Sequence, residues 1–374
     1  MAVRISWQQA LAWRMRRHLL DPVGGLSVAR VVSRLCGVQA QVASSAELAV
    51  RVRRQTSRRG EVERALREGR LIKTWAMRGT LHLLAPEEAG AFLSLIASGR
   101  SWERPSWQRY FGMTTKQMDA LRQAVRDALG DGDPRTREEL VTAVTARRGL
   151  GHAGEALRSS WGTLFKPLAW QGDLCLGPSR GSRVTYTLPE HASPRWGGLP
   201  EPNDAAPLAI AAYVRAYGPT TVDAFGRWLA GGWFGTRQLR AWFDSLEARF
   251  TEVDVDGERA YVLAEDLDEL VVTRPTGAVR LLPGFDQYVL GPGTADGNVV
   301  PASRRAAVSR QAGWISPVVV AGGVVRGTWE LDGDEARIAW FEEAGRAPRR
   351  LLEEEVSRLA AILGRDLGAT VSAG

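Results

Sequence analysis

Apolar residues recur at helical spacing across residues 7–20 and again across 27–37, and between the two stretches lies the turn Asp21-Pro22-Val23-Gly24-Gly25. Ser44-Ser45-Ala46-Glu47 opens a third predicted helix, which carries Arg51, Arg53 and Arg54 towards its end, where cations suit the helix dipole. A fourth, over about 60–69, stops at Gly69. The pattern then shortens. Residues 71–75 and 80–84 are predicted as strands around Met77-Arg78-Gly79. Helices followed by a strand pair outline a winged helix, a unit that sets one helix in a DNA groove and its hairpin on the backbone.

The same succession returns twice. Helices are predicted at 115–129, 135–147 and 154–170, then strands at 172–176 and 183–188 around Gly177-Pro178-Ser179-Arg180-Gly181-Ser182. Helices near 204–217, 221–230 and 236–247 precede strands 250–255 and 259–264, joined by the strong hairpin dipeptide Asp256-Gly257. The last third differs, with strands at 279–282, 314–320, 324–329 and 336–341, a Gly322-Gly323 turn and a closing helix at 349–363. The Pro- and Gly-rich stretches 189–203 and 290–305 are the candidate linkers. Residues 290–305, which include Ala295-Asp296-Gly297-Asn298, are expected to project as a hairpin, with a disordered surface loop as the alternative. The expected class is α+β, with winged-helix units at 1–112, 113–195 and 196–374, the third also carrying further strands and the C-terminal helix.

Charge changes the picture more than composition does. Residues 1–100 hold 17 Lys and Arg against 7 Asp and Glu, while the remaining 274 residues sum to −3. A basic region beside a slightly acidic remainder points to a polyanion. Only Lys73, Lys116 and Lys166 are lysines, which fits a GC-rich genome but does not account for the asymmetry. No apolar run of 18 residues exists to span a membrane. The arginine-bearing N-terminal stretch reads as an amphipathic helix rather than a signal-peptide core. Cys36 and Cys175 support neither a disulfide framework nor a zinc site, and His18, His82, His152 and His191 lack ligand spacing. No metal, no cofactor, no membrane and cytoplasmic residence are the expectations. No G-x-x-x-x-G-K-[ST] or G-x-S-x-G motif occurs, so nucleotide hydrolysis and serine-hydrolase chemistry have no support.

Four blocks, 74–83 (TWAMRGTLHL), 217–221 (YGPTT), 281–288 (LLPGFDQY) and 313–320 (GWISPVVV), stand in an order that resembles the bacterial winged-helix DNA glycosylases typified by AlkZ and YcaQ, from about residue 7 to 363. The resemblance implies a C-shaped molecule of tandem winged helices around a small β-barrel. It implies removal of bulky N7-alkylated purines, unhooking of crosslinks, and a role in base excision repair or antibiotic self-resistance. It also implies a catalytic Gln-x-Gln, matched here by Gln39-Ala40-Gln41. Spacing alone favours a plainer reading, two amides that satisfy backbone groups at a helix end; it is the surrounding blocks that turn the reading towards catalysis.

Two residues apart on an extended segment, the amides face one side and can hold a water between them. An amide is a poor base, but an N7-alkylated guanine already carries positive charge and leaves as a neutral base. Weak polar help suffices there, whereas a neutral base demands more, usually a carboxylate. The expected partner is double-stranded DNA carrying alkylated purine adducts, met by a monomer. Arg51, Arg53, Arg54, Arg58, Arg59, Lys73, Arg78, Thr80, His82, Asp296, Asn298, Arg304 and Arg305 are the candidate DNA contacts. The projecting hairpin at 290–305 is expected to touch DNA at the lesion. Asp286 suits a cap, and Trp75 and Trp314 suit either core or lesion cleft. A non-catalytic winged-helix regulator or drug-sequestering protein is the alternative.

Overall fold

The computed structural model describes residues 3–159 and 162–374 and has mixed α+β architecture. Two compact units emerge. One is built from the chain through Glu61, Ile210–Trp228 and Phe243–Gly374; the other from Val62–Ala209 and Leu229–Trp242.

In the first unit, Trp7–Arg17, Val28–Arg34 and Ala43–Arg51 are the expected helices. Ser6 and Ser27 cap the first two through their hydroxyls. The Asp256-Gly257 hairpin forms between Phe250–Val255 and Glu258–Leu263, and Val3–Ile5 adds to it in parallel. Neither this strand nor Gly368–Ala373 was expected, and each pairs in parallel with a sequence-distant strand.

The second sheet of this unit runs Val279–Leu282, Val318–Ala321, Val324–Asp332, Glu335–Trp340, Gly368–Ala373. Its strands alternate between two faces. Leu281, Val319, Trp329 and Ile338 meet Leu352, Val356 and Leu359 of the Arg349–Leu363 helix. Leu282, Val318, Val320 and Val325 meet Leu11, Met15, Phe285 and Tyr288 on the other side. The expected barrel is corrected: among the described residues the sheet is open. Its Val279–Leu282 edge is met by the helix, where Glu355 accepts the Leu281 N–H at 3.1 Å, so a buried edge donor is satisfied without ring closure.

The expected projecting hairpin at 290–305 is also corrected. Val299 and Val300 are buried, the Val299 carbonyl accepts the Val325 N–H at 2.8 Å, and the Val299 and Val300 N–H groups close onto the Asp296 carbonyl. Two consecutive core valines draw the stretch onto the sheet instead of letting it stand out.

In the second unit Leu81–Leu84, Ile72–Trp75, Cys175–Leu176, Thr185–Thr187 and Arg135–Thr136 lie side by side in that order. The hairpins expected of the first two repeats therefore share one sheet, joined at Lys73 and Leu176. Thr115–Leu129 begins with a full capping box from Thr114 and Gln117. The single helix expected at 154–170 is two, Gly154–Arg158 and Phe165–Trp170; positions 160 and 161 lie outside the described residues. Pro86–Ser98 and Pro105–Phe111 are helices the periodicity did not single out.

Candidate active site

Gln39 and Gln41 lie on the short connection between two helices of the first unit. Val28–Arg34 ends at Leu35, after which Cys36 (φ 57°) and Gly37 (φ 95°) reverse the chain in the left-handed region. Val38–Gln39 is a two-residue strand, and Ala43–Arg51 starts directly after Val42. Gln39 is 7% exposed and Gln41 is exposed. The tripeptide offers hydrogen-bond donors and acceptors and no ionisable group.

A buried polar layer lies under this connection. The Tyr217 hydroxyl donates to the Leu35 carbonyl at 2.6 Å and lies 3.4 Å from Gln287 Oε1. Arg14, 1% exposed, donates to the Tyr217 carbonyl at 2.9 Å, and its Nη1 lies 3.9 Å from Asp296. His18 meets the Tyr217 and Tyr288 rings edge-on at 5.2 and 5.4 Å, and its Nε2 is 3.0 Å from the Ala216 carbonyl. Burial, with the Arg53 and Arg14 charges adding, holds the His18 imidazole well below its ordinary range, so the neutral ring donates through Nε2. Two of the blocks noted in sequence, 217–221 and 281–288, thus meet as internal scaffold beside the Gln39 segment.

Arg51, Arg53 and Arg54, expected as DNA contacts, are corrected. Arg53 is fully buried in a two-pronged bond to Asp286, Nη1 to Oδ2 at 2.8 Å and Nη2 to Oδ1 at 2.6 Å. Arg51 is buried and donates to the Ile362 carbonyl and, at 3.3 Å, to Ser57. Arg54 pairs with Glu61 and donates to the Leu26 carbonyl at 2.9 Å. These guanidiniums hold the fold together, while Arg58 and Arg59 beyond them are exposed. Asp286 is the cap expected of it, its Oδ1 accepting the Tyr288 N–H at 2.8 Å.

Asp296 accepts the Asn298 N–H at 3.0 Å and shapes its own turn, and both side chains are half-buried. Arg304 is held by both Glu343 oxygens, at 2.8 and 2.7 Å, over the Phe341 ring. Arg305 is exposed. Trp314 is 48% exposed against Phe285.

In the second unit Lys73 is half-buried, and desolvation pushes its ammonium pKa down. Arg78 takes a left-handed conformation (φ 55°) at the hairpin turn, and the Thr80 hydroxyl donates to the Met77 carbonyl at 3.2 Å. Trp75 is core, stacked on Phe165 and Tyr186. Lys166, one of three lysines among 49 basic residues and not among the candidate contacts, lies beside the same turn, its Nζ 3.7 Å from where a Cβ on Gly79 would stand.

His82 is a further correction among the expected DNA contacts. It is fully buried, its Nδ1 is 3.0 Å from the Thr80 carbonyl, and burial first, then Arg78, push its pKa from 6.5 down to about 3. The ring is neutral in the fold, and unfolding lets it take a proton between those limits. Its contribution to stability is complete above pH 6.5 and is lost as pH falls towards 3. Urea unfolding of His82→Phe and the parent across pH 3.5–7 checks this: the parent should lose more stability on acidification, and parallel curves would contradict it.

Among the described residues no group of three His, Cys, Asp or Glu side chains is placed to hold a metal ion, and no helix is long and apolar enough to cross a membrane.

The model of the AlkZ-like DNA glycosylases matches residues 32–362. The chain belongs to that family. It is 48% identical over 363 residues to an interstrand DNA cross-link repair glycosylase of Streptomyces sahachiroi, covering 97% of this chain and 98% of that one. The solved structure of the Streptomyces sahachiroi DNA glycosylase AlkZ superposes with a TM-score of 0.96 over 99% of this chain and 100% of that chain. Membership makes this chain a DNA glycosylase, a hydrolase of N-glycosyl bonds, and sets aside the non-catalytic regulator.

Proposed function

We propose that this AlkZ-like glycosylase releases bulky N7-alkylated purines from duplex DNA as a monomer, that Gln39 and Gln41 are its catalytic pair, and that it unhooks interstrand crosslinks built on such adducts. The observation that carries this reading is the Gln39-Ala40-Gln41 segment, two amides with no ionisable group between them, Gln39 buried and Gln41 exposed. In the reaction the C1′–N9 bond breaks and its electron pair neutralises the cationic purine, leaving positive charge on the sugar. The two amides orient a water towards C1′ and stabilise that charge by their carbonyl dipoles. The C1′–O bond forms and the water's second proton passes to solvent. No strong base is needed because the leaving group carries the driving force.

The fold reading that accompanies this is three winged-helix units, expected at 1–112, 113–195 and 196–374 and supported by the repeated succession of helices and a strand pair, with the hairpins at 72–84, 175–187 and 250–263; the two compact units cut across those bounds, so the units interleave along the chain. Under this reading a matched pair of duplexes, one with an N7-alkylguanine and one with uracil, separates cationic from neutral leaving groups. Abasic sites should form only in the first. Equal release from both would overturn the restriction to cationic adducts.

The phosphate contacts proposed are Arg58, Arg59, Lys73, Arg78, Lys166 and Arg305, with Thr80 and Asn298 as polar neighbours. Binding to undamaged duplex should fall steeply with salt, by about 0.9 in log–log slope per neutralised phosphate. Replacing Arg78 and Lys166 together with Ala should flatten the slope by about 1–2. Fluorescence anisotropy across a salt series checks this, and an unaltered slope would remove the pair from the DNA surface.

A further inference from the structure

We propose that Tyr217 is a positioning residue for base release, its hydroxyl fixing the turn that delivers Gln39. This rests on the reading of Gln39 as catalytic.

The phenol has one proton. The 2.6 Å contact assigns it to the Leu35 carbonyl rather than to Gln287 at 3.4 Å. Leu35 is the last residue before the left-handed pair Cys36 and Gly37, and only two more bonds along the chain lead to Val38 and Gln39. A carbonyl at a helix end lacks an intrahelical donor. Here a side chain more than 180 residues away in sequence supplies it and ties the turn to another helix.

The tyrosine is itself held on every side that matters. It is 1% exposed. Arg14 holds its carbonyl, and the His18 ring stands edge-on to its ring. Gly291 presses on the ring so closely that a Cβ there would fall 1.8 Å from Cε1, so position 291 must be glycine for the ring to stay in place. The hydroxyl's position is thus set by rigid neighbours, and the catalytic connection inherits that position. Small displacements of a catalytic group are costly because the reaction needs near-attack geometry.

The test is Tyr217→Phe, which keeps the ring and removes only the hydroxyl, assayed well below its melting midpoint. Single-turnover excision should fall about tenfold or more. The Kd for undamaged duplex should stay within about twofold, because no phosphate contact is touched. Amide exchange should quicken at Val38–Gln41 and not in the 250–263 hairpin. In a Gln39→Ala background the same substitution should cost little further rate. Excision by Tyr217→Phe at the parent rate while Gln39→Ala is crippled would overturn the positioning role alone. Full activity of Gln39→Ala would instead sink the catalytic reading. An undiminished Tyr217→Phe loss in the Gln39→Ala background would mean that the hydroxyl acts on something other than Gln39.

Discussion

Asp286→Ala is expected to destabilise the first unit by about 3–5 kcal/mol. The carboxylate is 1% exposed and receives both prongs of Arg53, which is itself fully buried. Removing it leaves a guanidinium with its charge in the interior and, among the described residues, the Ala49 carbonyl at 2.7 Å to answer it. It also removes the cap on Tyr288 N, worth about 1 kcal/mol at a typical helix start. The cost belongs to the stranded charge rather than to the pair as such. Arg53→Met combined with Asp286→Leu should therefore recover a good part of the loss, because two apolar groups leave no buried ion behind. Urea unfolding followed by tryptophan fluorescence measures all three variants. Asp286→Ala with parental stability would show that the pair is not what holds this core.

The second large effect is catalytic. Gln39→Ala with Gln41→Ala should abolish base release yet leave affinity for undamaged duplex within about tenfold, or roughly 1.4 kcal/mol. On the proposed reading the amides serve the reacting water and sugar, while affinity comes chiefly from cations on phosphates. Single variants should fall between, since each leaves one amide to hold the water. Stability should change little at Gln41, which is exposed, and more at Gln39, which is buried. Anisotropy for binding and abasic-site yield for release separate the two quantities. A double variant that loses both together would move these residues from the chemistry to the DNA interface.

Local signals in the sequence were read well wherever they were complete in themselves. The Asp256-Gly257 hairpin, the helix 115–129 and the closing helix 349–363 each carry their own turn or periodicity, and each stands where expected. Val3–Ile5 and Gly368–Ala373 carry no such signal. Each is defined by a parallel partner elsewhere in the chain, and periodicity within a short window cannot report that. The arginines failed for the same reason. A run of Arg51, Arg53 and Arg54 at a helix end looks like a phosphate grip until Asp286, 233 residues on, neutralises the middle one. The Gly and Pro of 290–305 spell a projecting loop, while two valines inside the stretch decide its path. The Gln-x-Gln was legible only through its family; what lies around it, Tyr217 under Leu35, is a matter of tertiary contact.

The most direct measurement is abasic-site formation in a duplex carrying one N7-alkylguanine, followed through a single turnover with the parent protein and the Gln39→Ala, Gln41→Ala variant side by side. The account predicts abasic sites with the parent and only the spontaneous rate with the variant. Equal release by both, or none above the spontaneous rate by either, would contradict it.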